Sequence, residues 1–131
     1  MAGRFGSVVT AMVTPFRPDH GVDLDGAQEL ASWLTDNGSD SIFVVGSTGE
    51  SPTLSHNEKA DLFRAVGDAI RGKGKLICGT GTYSTTETLE LTLNSGVAPR
   101  RVLSRHSNDE RADRLHDAWS AALRGLDRPL Q

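Results

Sequence analysis

Two rhythms of apolar positions alternate along the chain. Short, nearly continuous apolar runs occur at Ser7–Phe16 (SVVTAMVTPF), Ser41–Val45 (SIFVV) and Lys75–Thr80 (KLICGT), and they read as strands. Continuous rather than alternating runs are expected for strands buried on both faces of a parallel sheet. Between them the period lengthens to that of a helix. Leu24, Ala27, Leu30, Ala31 and Leu34 form one stripe, with Asp23 placed to cap it and Asn37-Gly38 to stop it. Ser55 and Glu58 have the spacing of a capping box. The helix they open carries Leu62, Phe63, Val66, Ala69 and Ile70 on one face and stops at Gly72. Ser84 and Glu87 repeat the box before a third helix that reaches about Leu93. The order βαβαβα predicts parallel strands with right-handed crossovers. In such folds the functional loops lie at the carboxyl ends of the strands. GSTGE follows the second strand and GTGTYST the third, so both belong to that end.

The pattern changes near Asn94. Residues 1–94 hold 7 basic and 12 acidic side chains, whereas residues 95–131 hold 7 arginines, 5 acids and no lysine. The valines and isoleucines thin out too, with only Val97 and Val102 after Ile77. Arg101–Ser104 (RVLS), with Arg100 before it, reads as a short strand. Ser107 and Glu110 make a further capping box, before a stripe of Ala112, Leu115, Trp119, Ala122, Leu123 and Leu126. The expected organisation is therefore an α/β segment over 1–94 and a divergent, arginine-rich helical tail over 95–131.

Composition narrows the class. The chain has 131 residues, 37% of them apolar and 24% charged, with a formal net charge of −3. That suits a soluble globular domain and argues against a nucleic-acid partner. One cysteine, Cys78, cannot form an intramolecular disulfide and fits a reducing compartment. No signal peptide or membrane-spanning run is visible. The expectation is a cytoplasmic protein without a membrane partner.

Candidate chemistry concentrates in GSTGE. A Gly-Ser-Thr-Gly turn between a strand and a helix offers closely spaced backbone N–H groups and two hydroxyls, which suits a small anion. It could equally be a tight turn whose hydroxyls satisfy only local backbone. A phosphate loop is a poor fit, since no Gly-Lys-Ser/Thr ending follows, and neither glycine cluster gives a dinucleotide fingerprint.

GRFGSVVTAMVTPF, SIFVVGSTGESPTLSHNEK and LICGTGTYSTTETLELT, taken together, closely resemble the dihydrodipicolinate synthase / N-acetylneuraminate lyase family over roughly Gly3–Thr92. The resemblance implies a (β/α)8 TIM barrel, here partial: about three N-terminal βα units plus the divergent tail. It implies pyruvate-dependent carbon–carbon bond chemistry through a Schiff base on a lysine, with no cofactor and no metal. ESPTLSHNEK looks more like the synthase branch of lysine biosynthesis. By the same resemblance Thr48 holds the pyruvate carboxylate and Ser47 relays protons between tyrosines. Gly46 and Gly49 let the backbone approach the ligand. Family members are usually homo-oligomers.

The departures matter as much. The family's tyrosine segment, its arginine and its Schiff-base lysine have no counterpart among these residues. The single tyrosine, Tyr83, lies after the third strand, and the three lysines, Lys59, Lys73 and Lys75, read as solvated helix or loop residues. A Schiff-base amine must be desolvated or sit beside another cation, so none is expected to be the nucleophile. A truncated or frame-shifted copy is the simplest expectation. The alternatives are a non-catalytic α/β module that binds a small carboxylate or a full-length barrel, and an unrelated small α/β protein.

The remaining candidates have plain readings. Cys78 reads as a buried small hydrophobe, and His20, His56, His106 and His116 as surface residues without metal-pair spacing. Arg100-Arg101 reads as a solvated pair, Trp33 and Trp119 as packing residues, and Glu50 as a structural hydrogen-bonding group.

Overall fold

A computed structural model describes residues 5–94 and the backbone of residues 102–103. Its elements are β1 (Val9–Ala11), α1 (Leu24–Asp36), β2 (Ser41–Val44), a 3₁₀ turn (Ser51–Thr53), α2 (His56–Ala69), β3 (Lys75–Gly79), α3 (Thr85–Asn94) and β4 (Val102–Leu103). All strands are parallel and stand in the order β1-β2-β3-β4, so each crossover returns the chain to the neighbouring position. This is the arrangement expected for part of a (β/α)8 wall. β4 lies within the expected RVLS strand. The helix expected beyond it, with His106, His116 and Trp119, lies outside the described residues, as do Arg100 and Arg101.

The sheet buries one face under the helices. Register pairs Ile42 with Leu76 and Val44 with Cys78, and these four side chains join Met12 in a core with Ala27, Ala31, Leu62, Phe63 and Val66. Phe63, Leu62 and Val66 are fully buried, as the stripe on α2 predicts. Burying a large side chain of this kind is worth about 2–3 kcal/mol. On the other face Val9 and Val13 remain 48% and 53% exposed. Cys78 is fully buried, as expected.

The helix boundaries follow their signals. The Asp23 side chain accepts from the Gly26 N–H at 2.9 Å, and Ser55 and Glu58 form the complete capping box of α2. Gly38 and Gly72, at φ +104° and +79°, supply the left-handed residues that end α1 and α2. Three expectations need correction. The first strand is only Val9–Ala11, because the chain beyond it turns through a short loop closed by the antiparallel bridge Phe16–Val22. The second box on α3 is half formed. Ser84 Oγ accepts from the Glu87 N–H at 3.3 Å, but the Ser84 N–H donates to Thr82 Oγ1 at 3.1 Å, which leaves the Glu87 carboxylate free for other partners. Trp33 is 61% exposed, because it lies one residue outside the stripe of α1.

Candidate functional site

The GSTGE turn begins where β2 stops. Val45 is buried yet has φ +60°, and Glu50 has φ +57°. Non-glycine residues in this region cost on the order of 1–3 kcal/mol each, and a β-branched one is a marked outlier. Between them the turn closes on itself. The Gly49 and Ser51 N–H groups donate to the Gly46 carbonyl at 3.1 and 3.3 Å, and the Glu50 N–H donates to the Ser47 carbonyl at 3.1 Å. The Glu50 carbonyl then accepts from the Thr53 N–H at 2.9 Å and from its hydroxyl at 2.8 Å. Glu50 has a structural hydrogen-bonding role, as expected, and exerts it through its backbone; its side chain makes no cap hydrogen bond.

The two glycines pack against protein. A Cβ on Gly46 would lie 2.6 Å from the Phe43 ring, and one on Gly49 would lie 3.2 Å from Met12 O, Thr14 Oγ1 and Val45 N. Gly49 is buried, and its carbonyl accepts from the buried Thr14 hydroxyl at 2.7 Å. Ser47 and Thr48 are exposed at the carboxyl end of β2. Neither their backbone N–H groups nor their hydroxyls hydrogen-bond to another described residue. Two adjacent amides and two hydroxyls on exposed residues are thus without partners among the described residues, a set suited to a carboxylate.

The loop after β3 is tied internally. Thr82 accepts at its hydroxyl from Ser84 N–H, and its own N–H donates to Thr88 Oγ1 at 3.0 Å. Tyr83 is fully exposed, and no hydrogen bond joins it to Ser47. Across the α2–α3 interface, His56 Nε2 and Glu87 Oε1 are 2.7 Å apart. The hydrogen bond from His56, followed by one from Thr82, holds the Glu87 carboxyl below its ordinary value. A groove of about 330 Å³ between the same helices is lined by His56, Phe63, Glu90, Leu91 and Asn94 among others, and by no residue of the turn.

The lysines separate. Lys73 is exposed and pairs with Asp36 at 2.9 Å, and Lys75 is exposed at the start of β3. Lys59 corrects the expectation of a solvated side chain, for it is only 4% exposed. Position 59 heads the stripe of Leu62, Phe63 and Val66, so the aliphatic stem continues the core face of α2. Its amine makes no hydrogen bond or ion pair with a described residue. Desolvation pushes its pKa down, against the opposing pull of Glu87. Sequence patterning misplaced Lys59 and overlooked Thr14. For Lys59 the helical register carried a signal. For Thr14, inside an apolar run, there was none.

Residues 4–98 match the Dihydrodipicolinate synthetase family. The chain belongs to that family. The 4-hydroxy-tetrahydrodipicolinate synthase of Moorella thermoacetica is 53% identical over 88 residues, 67% of this chain and 30% of that protein. The enzyme of the same name from Desulforudis audaxviator is 40% identical over 129 residues, 96% of this chain and 44% of that protein. Among solved structures, the dihydrodipicolinate synthase of Cyanidioschyzon merolae with lysine bound superposes with a TM-score of 0.75 at 38% identity, covering 94% of this chain and 43% of that one. That of Acinetobacter baumannii, complexed with pyruvate, gives 0.71 at 29%, covering 94% and 43%. These synthases are TIM barrels. The chain spans less than half the length of the family members it matches. No helix among the described residues is long and apolar enough to cross a membrane.

Proposed function

We propose that Gly46–Gly49 binds the carboxylate of pyruvate, as the carboxylate-holding part of a dihydrodipicolinate-synthase-type carbon–carbon lyase site. The observation that carries this reading is the pair of exposed amides and hydroxyls on Ser47 and Thr48. Charge-assisted hydrogen bonds from two amides and the Thr48 hydroxyl orient the carboxylate, and the Ser47 hydroxyl is left to pass a proton. The pyruvate-bound synthase of Acinetobacter baumannii supports the ligand class. On this reading no lysine of residues 5–94 is the Schiff-base nucleophile. Lys73 is ion-paired, Lys75 stands at the opposite end of β3 from the functional loops, and Lys59 packs on the helix-covered side.

Two measurements on the purified chain test it. Pyruvate titrated into ¹⁵N-labelled protein is expected to shift the Ser47 and Thr48 amides saturably, and an absence of shifts there sinks the carboxylate reading. Pyruvate followed by borohydride is expected to leave the intact mass unchanged. A reduced adduct on one lysine overturns the division of labour and makes that lysine, Lys59 above all, the nucleophile.

A second reading, a non-catalytic module that associates with a barrel partner, draws on the exposed apolar positions Val9 and Val13 beside the β1 edge.

A further inference from the structure

A turn with positive φ at Val45 and Glu50 does not hold its shape by local preference. Four observations show what holds it. Thr14 is only 6% exposed, and its hydroxyl donates to the Gly49 carbonyl at 2.7 Å across 35 residues of sequence. Gly49 has little room for a side chain, with Met12 O, Thr14 Oγ1 and Val45 N each 3.2 Å from the position a Cβ would take. The Gly49 N–H is committed to the Gly46 carbonyl at 3.1 Å. Ser47 and Thr48 are the only residues between those two fixed glycines.

We infer that Thr14 is a positioning residue for the carboxylate turn: its hydroxyl clamps the Gly49 carbonyl and so fixes the direction in which the Ser47 and Thr48 amides point. The ligand-binding part of this inference rests on the carboxylate reading above, whereas the clamp itself does not. Without the hydroxyl the Gly49 carbonyl is a buried acceptor lacking its partner. The turn is then free to relax its two positive-φ residues, and the amides lose their common aim. Thr14 never touches the ligand in this scheme and acts through Gly49.

The test compares wild type with Thr14→Val, which keeps the shape and removes the donor, and with Thr14→Ser, which restores it. Thr10→Val serves as a control, because Thr10 Oγ1 also makes a hydroxyl contact from β1, to Ser39 Oγ at 2.7 Å, away from the turn. In ligand-free protein, Thr14→Val is expected to move the ¹⁵N shifts of Ser47, Thr48 and Gly49 and to speed their amide exchange. Thr14→Ser and Thr10→Val should leave those amides as they are. With pyruvate as the probe, Thr14→Val is expected to weaken binding roughly tenfold, with recovery in Thr14→Ser. Unchanged turn amides in ligand-free Thr14→Val overturn the clamp whether or not pyruvate binds. Turn shifts without pyruvate binding to the wild type would uphold the clamp and sink the carboxylate reading instead. If Thr14→Val does not fold, the comparison passes to Thr14→Ala and Thr14→Ser. Equal turn shifts in those two variants would overturn the proposal.

Discussion

Gly49 shows how tightly a single residue can be specified by its protein neighbours. A Cβ there would press on two backbone atoms and on the Thr14 hydroxyl, which is held by its bond to the Gly49 carbonyl. Gly49→Ala is expected to lower the urea-unfolding free energy by about 1–3 kcal/mol, with the turn amides shifted in the same spectra. Lys59 is the opposite case, a residue whose chemistry opposes its place. Desolvation of an amine with no hydrogen-bonding partner among the described residues disfavours the charged form, so its folded pKa lies below the unfolded value of 10.5. The unfolded chain therefore holds more protons between those two values, and stability rises with pH across that window. Lys59→Met keeps the stem and removes the charge. It is expected to be more stable than wild type at pH 7 by about 1 kcal/mol, with the advantage shrinking as pH approaches 10.5. An equal or lower melting temperature at pH 7 would mean the amine is satisfied after all.

At the scale of elements, α2 and α3 are joined by His56 and Glu87, and the direction of their pH response follows from the depressed carboxyl. Glu87 lies below its ordinary 4.5 when folded, so its contribution is present above that value and lost as pH falls through the folded value. Wild type is expected to lose stability more steeply than Glu87→Gln on acidification below about pH 4.5, followed by thermal melts in low salt. The side chains are 49% and 39% exposed, so the difference is small and shrinks further with added salt. That link also marks where sequence reading stopped. The spacing of Ser84 and Glu87 is a true helix-start signal, and α3 begins there. The spacing could not reveal that Thr82 would take the Ser84 N–H and release Glu87 to a histidine 31 residues away. The strands, the stripes of α1 and α2 and the location of the turn were legible, because each is written in local periodicity. Thr14 was not, because its role depends on the return of β2 beside β1. Lys59 was misjudged because residue type was weighed above its place on the stripe.

Over the whole molecule, the parallel order β1-β2-β3-β4 leaves the outer edge of β1 without a strand partner among the described residues, beside the exposed Val9 and Val13. Open edges and apolar faces of this kind promote association. Light scattering is expected to show concentration-dependent growth in mass that Val9→Lys with Val13→Lys suppresses. A wild-type mass constant with concentration would show the face to be covered. The hydrogen bonds that shape the turn have a different reach. The loop hydrogen bonds of the turn between described residues, from the Met12 N–H on the Phe43 carbonyl at 2.9 Å to the Leu54 N–H on the Ser51 carbonyl at 3.3 Å, join positions 12 to 54, and the strand pairing of Val44 with Cys78 adjoins them. These loop bonds therefore lie within one continuous stretch of the sequence. Recombination downstream of β3 would keep these bonds together with the Val44–Cys78 pairing beside them, and so would carry the turn across as one unit.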